Sequence, residues 1–224
     1  MAPGFSTARS ALKALLPKEP AFVTLRFGLY RGLRLHIDFA SQAQLYFGLD
    51  EAETHRVIRD ALARARWMID IGAGSGELSI LFARKSAARV YAVEPGQVRE
   101  RIAANMAAND LPGHAVEIVP RCIGSQDGYL ALDAIAVERG AYGFVKIDID
   151  GGEADALRTG PALLAARNCA FLIETHSASL EQDCIDILSG GGYACRVIRN
   201  AWWRRFIPER RPLAHNRWLS AVPR

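Results

Sequence analysis

Seven consecutive residues, Asp70-Ile71-Gly72-Ala73-Gly74-Ser75-Gly76, carry the strongest chemical signal in the chain. They follow the apolar run Trp67 to Ile71 and precede a helical pattern. Glycines in such a turn let the backbone bend tightly and come close to a ligand. Glu94 ends the next apolar run, where a carboxylate can accept two hydrogen bonds from a ribose diol. A nicotinamide dinucleotide would call for G-x-G-x-x-G with the pyrophosphate at the helix start. Here the third glycine comes one position early and Glu77 stands in its place, where an acid repels a pyrophosphate. S-adenosylmethionine (SAM) has no phosphate and carries a sulfonium and an ammonium, which suit Asp70. The spacing D-x-G-x-G-x-G therefore favours SAM, with Asp70, Gly72, Ala73, Gly74 and Glu94 as its contacts. Ile123, in the stretch Cys122 to Ser125 after the third strand, is expected beside the adenine.

A second group sits in Phe144-Val-Lys-Ile-Asp-Ile-Asp-Gly-Gly-Glu153. A strand over Phe144 to Ile149 puts Lys146, Asp148 and Asp150 on one face by its period of two. In open α/β sheets the ligand crevice lies at the carboxyl ends of the strands. Asp148 and Asp150 there can orient a hydroxyl, act as general base or hold a divalent cation; the plain alternative is a strand end with solvated acids. His176, after the fifth strand, is a further candidate base. The catalytic candidates are thus Asp148, Asp150 and His176, with no metal ligand assigned. An Asn-Pro-Pro-aromatic tetrad, a Pro-Cys nucleophile and a three-cysteine cluster are all absent, which disfavours base-amine, cytosine-C5 and radical chemistries.

These residues need a sheet to hold them. Short apolar runs at Trp67–Ile71, Val90–Val93, Val116–Val119, Phe144–Ile149 and Ala170–Glu174 alternate with helical patterns, and Tyr193–Ile198 and Trp218–Val222 add two last strands. The expected fold class is α/β and Rossmann-like: a seven-stranded, mostly parallel sheet with helices on both faces. Residues 1–65 form a lead-in and 66–224 the cofactor-binding core. In the lead-in, Leu33, Leu35 and Ile37 alternate with polar residues as a half-buried strand, and Asp50 and Glu53 are spaced as a capping box for a helix through Ala65. Residues 1–16 allow a weak amphipathic helix but not a signal peptide. Asp127-Gly128 predicts a tight turn or small hairpin, and Ser179 with Gln182 a helix start.

The 224 residues, half of them hydrophobic, suffice for a full core without disulfides. The four cysteines form no CxxC pair, and Cys184 and Cys195 read as small buried hydrophobes, which fits a reducing, cytoplasmic setting. No apolar run approaches the length of a membrane span. The net charge of +4 is uneven: residues 196–224 hold eight arginines and one acid, leaving the rest at −3. This does not indicate a general nucleic-acid surface; it marks a local basic patch. Its centre, Ala201 to Pro212, combines three aromatics with four arginines and is expected at an acceptor site or anionic partner.

The sequence resembles the FkbM family of methyltransferases over about residues 30 to 200. The matching stretches are Trp67 to Ser79, Tyr91 to Pro95, and Lys146-Ile-Asp-Ile-Asp-Gly-Gly-Glu153 with Ala156-Leu157-Arg158. Arg31-Gly32 and Asp50-Glu51 are similar too. The resemblance implies a class I methyltransferase fold and O-methylation of a hydroxyl on a small molecule, sugar or lipid-like acceptor. Asp150 departs from the family, which commonly has Glu there. A SAM-binding module without turnover and a nicotinamide-dependent oxidoreductase stand as the other readings.

Overall fold

The computed structural model describes residues 17–208, 215 and 217–224. The expectation for residues 1–16 and the part of the basic stretch at 209–214 lie outside the described residues.

The chain opens with an antiparallel pair, β1 (Ala21–Thr24) and β2 (Arg34–Ile37). The second is the expected half-buried strand, with Leu35 and Ile37 fully buried; the first was not anticipated. Helices α1 (Phe39–Tyr46) and α2 (His55–Arg64) follow, then β3 (Trp67–Ile71) and α3 (Glu77–Lys85). Next come β4 (Arg89–Val93), α4 (Glu100–Ala108), β5 (Val116–Val119) and β6 (Gly143–Ile147). Two short helices, α5 (Glu153–Arg158) and α6 (Pro161–Ala166), lead to β7 (Cys169–Thr175). The chain closes with α7 (Ala178–Gly190), β8 (Tyr193–Ile198) and β9 (Arg217–Pro223).

Seven strands form one sheet in the order β5-β4-β3-β6-β7-β9-β8. β3 to β7 are parallel, and β9 runs antiparallel to both β7 and β8. Every residue of β3, β6 and β7 is buried, as a sheet covered on both faces requires. Alternate residues divide between two cores. Met68, Phe144 and Leu172 join Ile58 of α2, Phe82 of α3 and Ile102 of α4 in the first. The lead-in side chains Leu33, Leu35 and Leu45 belong to this same core. Ile69, Ile147 and Phe171 join Leu157 of α5, Leu163 of α6 and Leu188 of α7 in the second. β3 continues to β4 on one side and β6 to β7 on the other, so the switch point, with its crevice, lies between β3 and β6.

Four local expectations change. The Asp50/Glu53 capping box does not form: Thr54 precedes α2 without a side-chain cap, and Glu53 binds Arg204 instead. A charged tertiary partner outcompetes a local backbone bond. The cap of α7 is Ser177, whose extended backbone lets its hydroxyl accept from Leu180 N at 3.1 Å, whereas Ser179 is already helical. The Asp127-Gly128 turn is present, with Tyr129 N donating to Gln126 O, but pairing is limited to one bridge between Ile123 and Leu130. Cys184 is buried, as is Cys169, but Cys195 is only half-buried because β8 is an edge strand.

Candidate active site

β3 is pinned between β4 and β6, so its carboxyl end delivers the glycine turn into the crevice. Gly72, Gly74 and Gly76 all have positive φ (79°, 55° and 85°), a region costly for residues with a Cβ. Gly72 N and Ala73 N both donate to Val93 O, tying the turn to the end of β4. Glu94 completes the tie: its Oε2 accepts from Gly74 N at 3.0 Å and its Oε1 from Gly96 N at 2.8 Å. On the other flank Asn105 of α4 donates to Ser75 O at 2.9 Å. Glu77 stands at the first turn of α3, bonded by Ser75 Oγ and by Gln42 Nε2. Burial raises its carboxyl above the usual range.

Asp70 is the last-but-one residue of β3 and faces α3, whose Ser79 Oγ donates to Asp70 Oδ2 at 2.7 Å. Its Oδ1 is buried with no hydrogen-bond partner among the described residues. Burial pushes the Asp70 carboxyl up, and Lys146, its register partner on β6, pulls it back down. Lys146 Nζ lies 2.9 Å from Asp148 Oδ2 and 5.6 Å from the centre of the Trp218 ring. Burial works to lower its ammonium, but Asp148, Glu51 and Asp70 outweigh it and hold Lys146 well above the ordinary lysine range. It is a fixed cation in the crevice wall.

β6 ends at Ile147, two residues before the expected end, because Asp148 N bonds Ile71 O and the chain then turns at Gly151 (φ 89°). Lys146 and Asp148 therefore meet as expected, while Asp150 leaves the strand face and its side chain is 92% exposed. Asp150 returns toward His176, with Oδ1 3.5 Å from Nε2. His176 Nδ1 is bound by Glu153 Oε1 of α5. A carboxylate acceptor makes Nδ1 the donor and fixes the tautomer, so Nε2 faces Asp150 and, at 4.0 Å, Glu174 Oε2. Glu153 is fully buried. It stands in the motif Lys146–Glu153, yet nothing local in the sequence shows that it reaches a histidine 23 positions later.

These groups border a cavity of about 400 Å³ over the switch point. Asp70, Gly72, Ala73, Gly74 and Asp148 line it, together with Lys146. The lead-in adds Tyr30, Gln42, Leu45 and Glu51 to the lining; of these the sequence marked Glu51 alone, in the Asp50-Glu51 pair. Glu51 adopts a left-handed conformation (φ 46°) there. Glu94 reaches the turn through Gly74 but does not line the cavity. Ile123 is buried in the second core, away from the cavity wall. His176 and Asp150 do not line the cavity, but a ring nitrogen of His176 lies within 4.8 Å of a carboxylate oxygen of Asp148 and of Glu174.

The basic stretch near the C-terminus divides. Arg204 is buried: Nε and Nη2 bind both oxygens of Glu53 at 2.8 and 2.7 Å, Nη2 also binds Leu49 O, and Nη1 binds Gln44 Oε1. Burial would raise the Glu53 carboxyl, but Arg204 and the Ala201 N–H pull it below the usual range. Arg204 is thus a brace between this stretch and the lead-in, not a free grip for an acceptor. Trp202 and Phe206 stay exposed beside it.

No protein-family model matches the chain, and no curated protein matches it. Solved structures do. An FkbM methyltransferase from Methylobacillus flagellatus KT matches with a TM-score of 0.56 at 19% identity, over 70% of this chain and 44% of its own. A SAM-dependent O-methyltransferase from Thermotoga maritima matches at 0.53 and 15%, over 78% of this chain and 66% of its own. The magnesium protoporphyrin IX methyltransferase of Synechocystis PCC 6803, solved with bound SAM, matches at 0.50 and 13%, over 100% of this chain and 99% of its own. The seven-stranded sheet, its flanking helices and these neighbours together give the chain the Rossmann-like methyltransferase fold.

Proposed function

We propose that this protein is a SAM-dependent methyltransferase that methylates a hydroxyl of a small-molecule, sugar or lipid-like acceptor. The observation that carries the reading is the glycine turn at the switch point, tied by Glu94 and opening on a cavity with the unpartnered buried Asp70 Oδ1. The residues fit the cofactor. Gly74 has open space where a Cβ would point, and Asp70 offers a buried carboxylate oxygen to a cationic group. Asp70, Gly72, Ala73, Gly74 and Glu94 are the proposed contacts, with Ile123 packed behind the adenine side. Glu77 at the start of α3 argues against a pyrophosphate, and hence against a nicotinamide dinucleotide.

Bound SAM would supply a methyl group on a positively charged sulfur. The chain's own task is to place and activate the acceptor oxygen, since alignment supplies much of the rate in a direct displacement. Asp148, Asp150 and His176 are the proposed catalytic residues on that side. Glu153 is a positioning residue that fixes the His176 ring. Membership of the FkbM family rests on the Lys146–Glu153 motif and the strand-end Tyr91–Pro95. The division at residue 65, a cytoplasmic setting and an anionic contact near residues 201–212 are carried as further parts of this reading. Four free cysteines support the setting, and no helix among the described residues is long and apolar enough to cross a membrane.

The test is calorimetric titration of the purified chain with SAM, S-adenosylhomocysteine and NAD. Binding of the first two and not the third is expected. Binding of NAD alone would overturn the reading.

A further inference from the structure

We propose that Asp148, Glu174 and His176 form a binding site for a divalent transition-metal cation. One ligand atom from each lies within 4.8 Å of the other two. The three come from the ends of adjacent strands: Asp148 follows β6, Glu174 closes β7, and His176 lies just beyond it. Ligands at about 2.1 Å from a metal stand about 3 to 4.2 Å apart, so small side-chain rotations would close the set.

Two further observations point to a cation. The first is the orientation of His176. Its Nδ1 is held by the fully buried Glu153, which leaves Nε2 free to face Asp150 Oδ1 at 3.5 Å and Glu174 Oε2 at 4.0 Å. A carboxylate on the far ring nitrogen is the arrangement that fixes a ligating histidine and raises its basicity. The second is an orphaned buried acceptor beside the set. Asp150, Glu153 and Glu174 face the His176 ring, and Asp148 belongs to the same group. Glu153 Oε2 is buried without a hydrogen-bond partner among the described residues. The imidazole in the set suits a transition ion such as Zn2+, and its two carboxylates suit Mn2+.

From the sequence, Asp148 and Asp150 have three open roles, cation binding among them; in the fold it is Glu174 and His176 that group with Asp148, and Asp150 is exposed. The role of the ion rests on the methyl-transfer reading, but its binding does not. Beside the cavity that Asp148 lines, the ion would hold and acidify an acceptor hydroxyl. His176 Nε2 would then serve as a ligand, and the exposed Asp150 carboxylate beside it would take up the hydroxyl proton, leaving the electron pair on the acceptor oxygen.

The experiment strips the full chain with a chelator and titrates it with Mn2+ (free-ion electron paramagnetic resonance) and Zn2+ (calorimetry), with no cofactor or acceptor present. One equivalent of ion should bind. His176→Ala and Glu174→Gln should each weaken binding about ten- to a hundredfold, while Asp183→Asn, at a surface ion pair, leaves it unchanged. Circular dichroism checks each fold, with His176→Gln in reserve should the alanine variant unfold. The proposal falls if neither ion binds at millimolar concentration, or if both site variants bind as the parent does. SAM titrated into the same stripped protein separates the two readings: SAM binding without ion binding overturns this site alone, and ion binding without SAM binding overturns the methyl-transfer reading alone.

Discussion

A Cβ placed on Gly72 would stand 1.9 Å from the carbonyl oxygen of Asp148. The glycine turn after β3 and the turn after β6 are therefore in backbone contact, reinforced by Asp148 N bonding Ile71 O at 2.9 Å. Gly72→Ala must strain a φ of 79° and push the two turns apart. We expect it to lose about 1 kcal/mol from φ alone and more from the displacement, and to weaken SAM binding and turnover together. Thermal denaturation and calorimetry read the two effects. A variant with parental midpoint and affinity would show that the contact is not needed.

Glu94→Ala removes the acceptor that Gly74 N and Gly96 N share and, in the proposed complex, the ribose partner. SAM affinity should fall about ten- to a hundredfold, equivalent to roughly 1.5–3 kcal/mol. Calorimetry on the folded variant decides, and unchanged affinity removes Glu94 from the cofactor site.

Asp148→Asn keeps the size of the side chain but loses the charge that meets Lys146 at 2.9 Å. SAM binding should persist within a few-fold while turnover drops by about 10²-fold or more, the scale of a lost acid–base or positioning group. Full activity with the true acceptor would take Asp148 off the catalytic list.

Asp70→Asn tests pH linkage. Burial raises the folded Asp70 carboxyl above its unfolded value, so the folded state binds a proton where the unfolded chain is already ionised. The ionised form destabilises the apo fold, and that loss grows as pH rises through this window. Urea denaturation at several pH values should show Asp70→Asn gaining stability over the parent as pH rises, then levelling off, while binding SAM more weakly. A gain independent of pH would contradict the burial argument.

Arg204→Met leaves Glu53 buried without its cation and should destabilise by about 3–5 kcal/mol. Arg205→Ala, at an exposed position, should change stability little. Adding Glu53→Gln to Arg204→Met should recover part of the loss, measurable in the same denaturation series. Equal stability of the Arg204 and Arg205 variants would show that the brace contributes nothing.

The sheet and the glycine turn follow from local patterns in the chain. Trp67–Ile71, Val116–Val119 and Tyr193–Ile198 are strands at the expected residues because buried parallel strands are written as continuous apolar runs. Asp70 to Gly76 was legible because its conformation is local: only glycine takes positive φ at low cost. Contacts between distant segments were not legible. Glu53 reads as a cap, but 151 residues later Arg204 provides a charged partner that a backbone N–H cannot match. Asp150 reads as a strand-face acid, but the early end of β6 turns it toward solvent and His176. Glu153, Glu174 and His176 become one cluster only because β6 and β7 are neighbours in the sheet and α5 packs back over them. Periodicity specifies which residues are buried; which of them meet is fixed by strand order and register, and those follow from packing the whole chain.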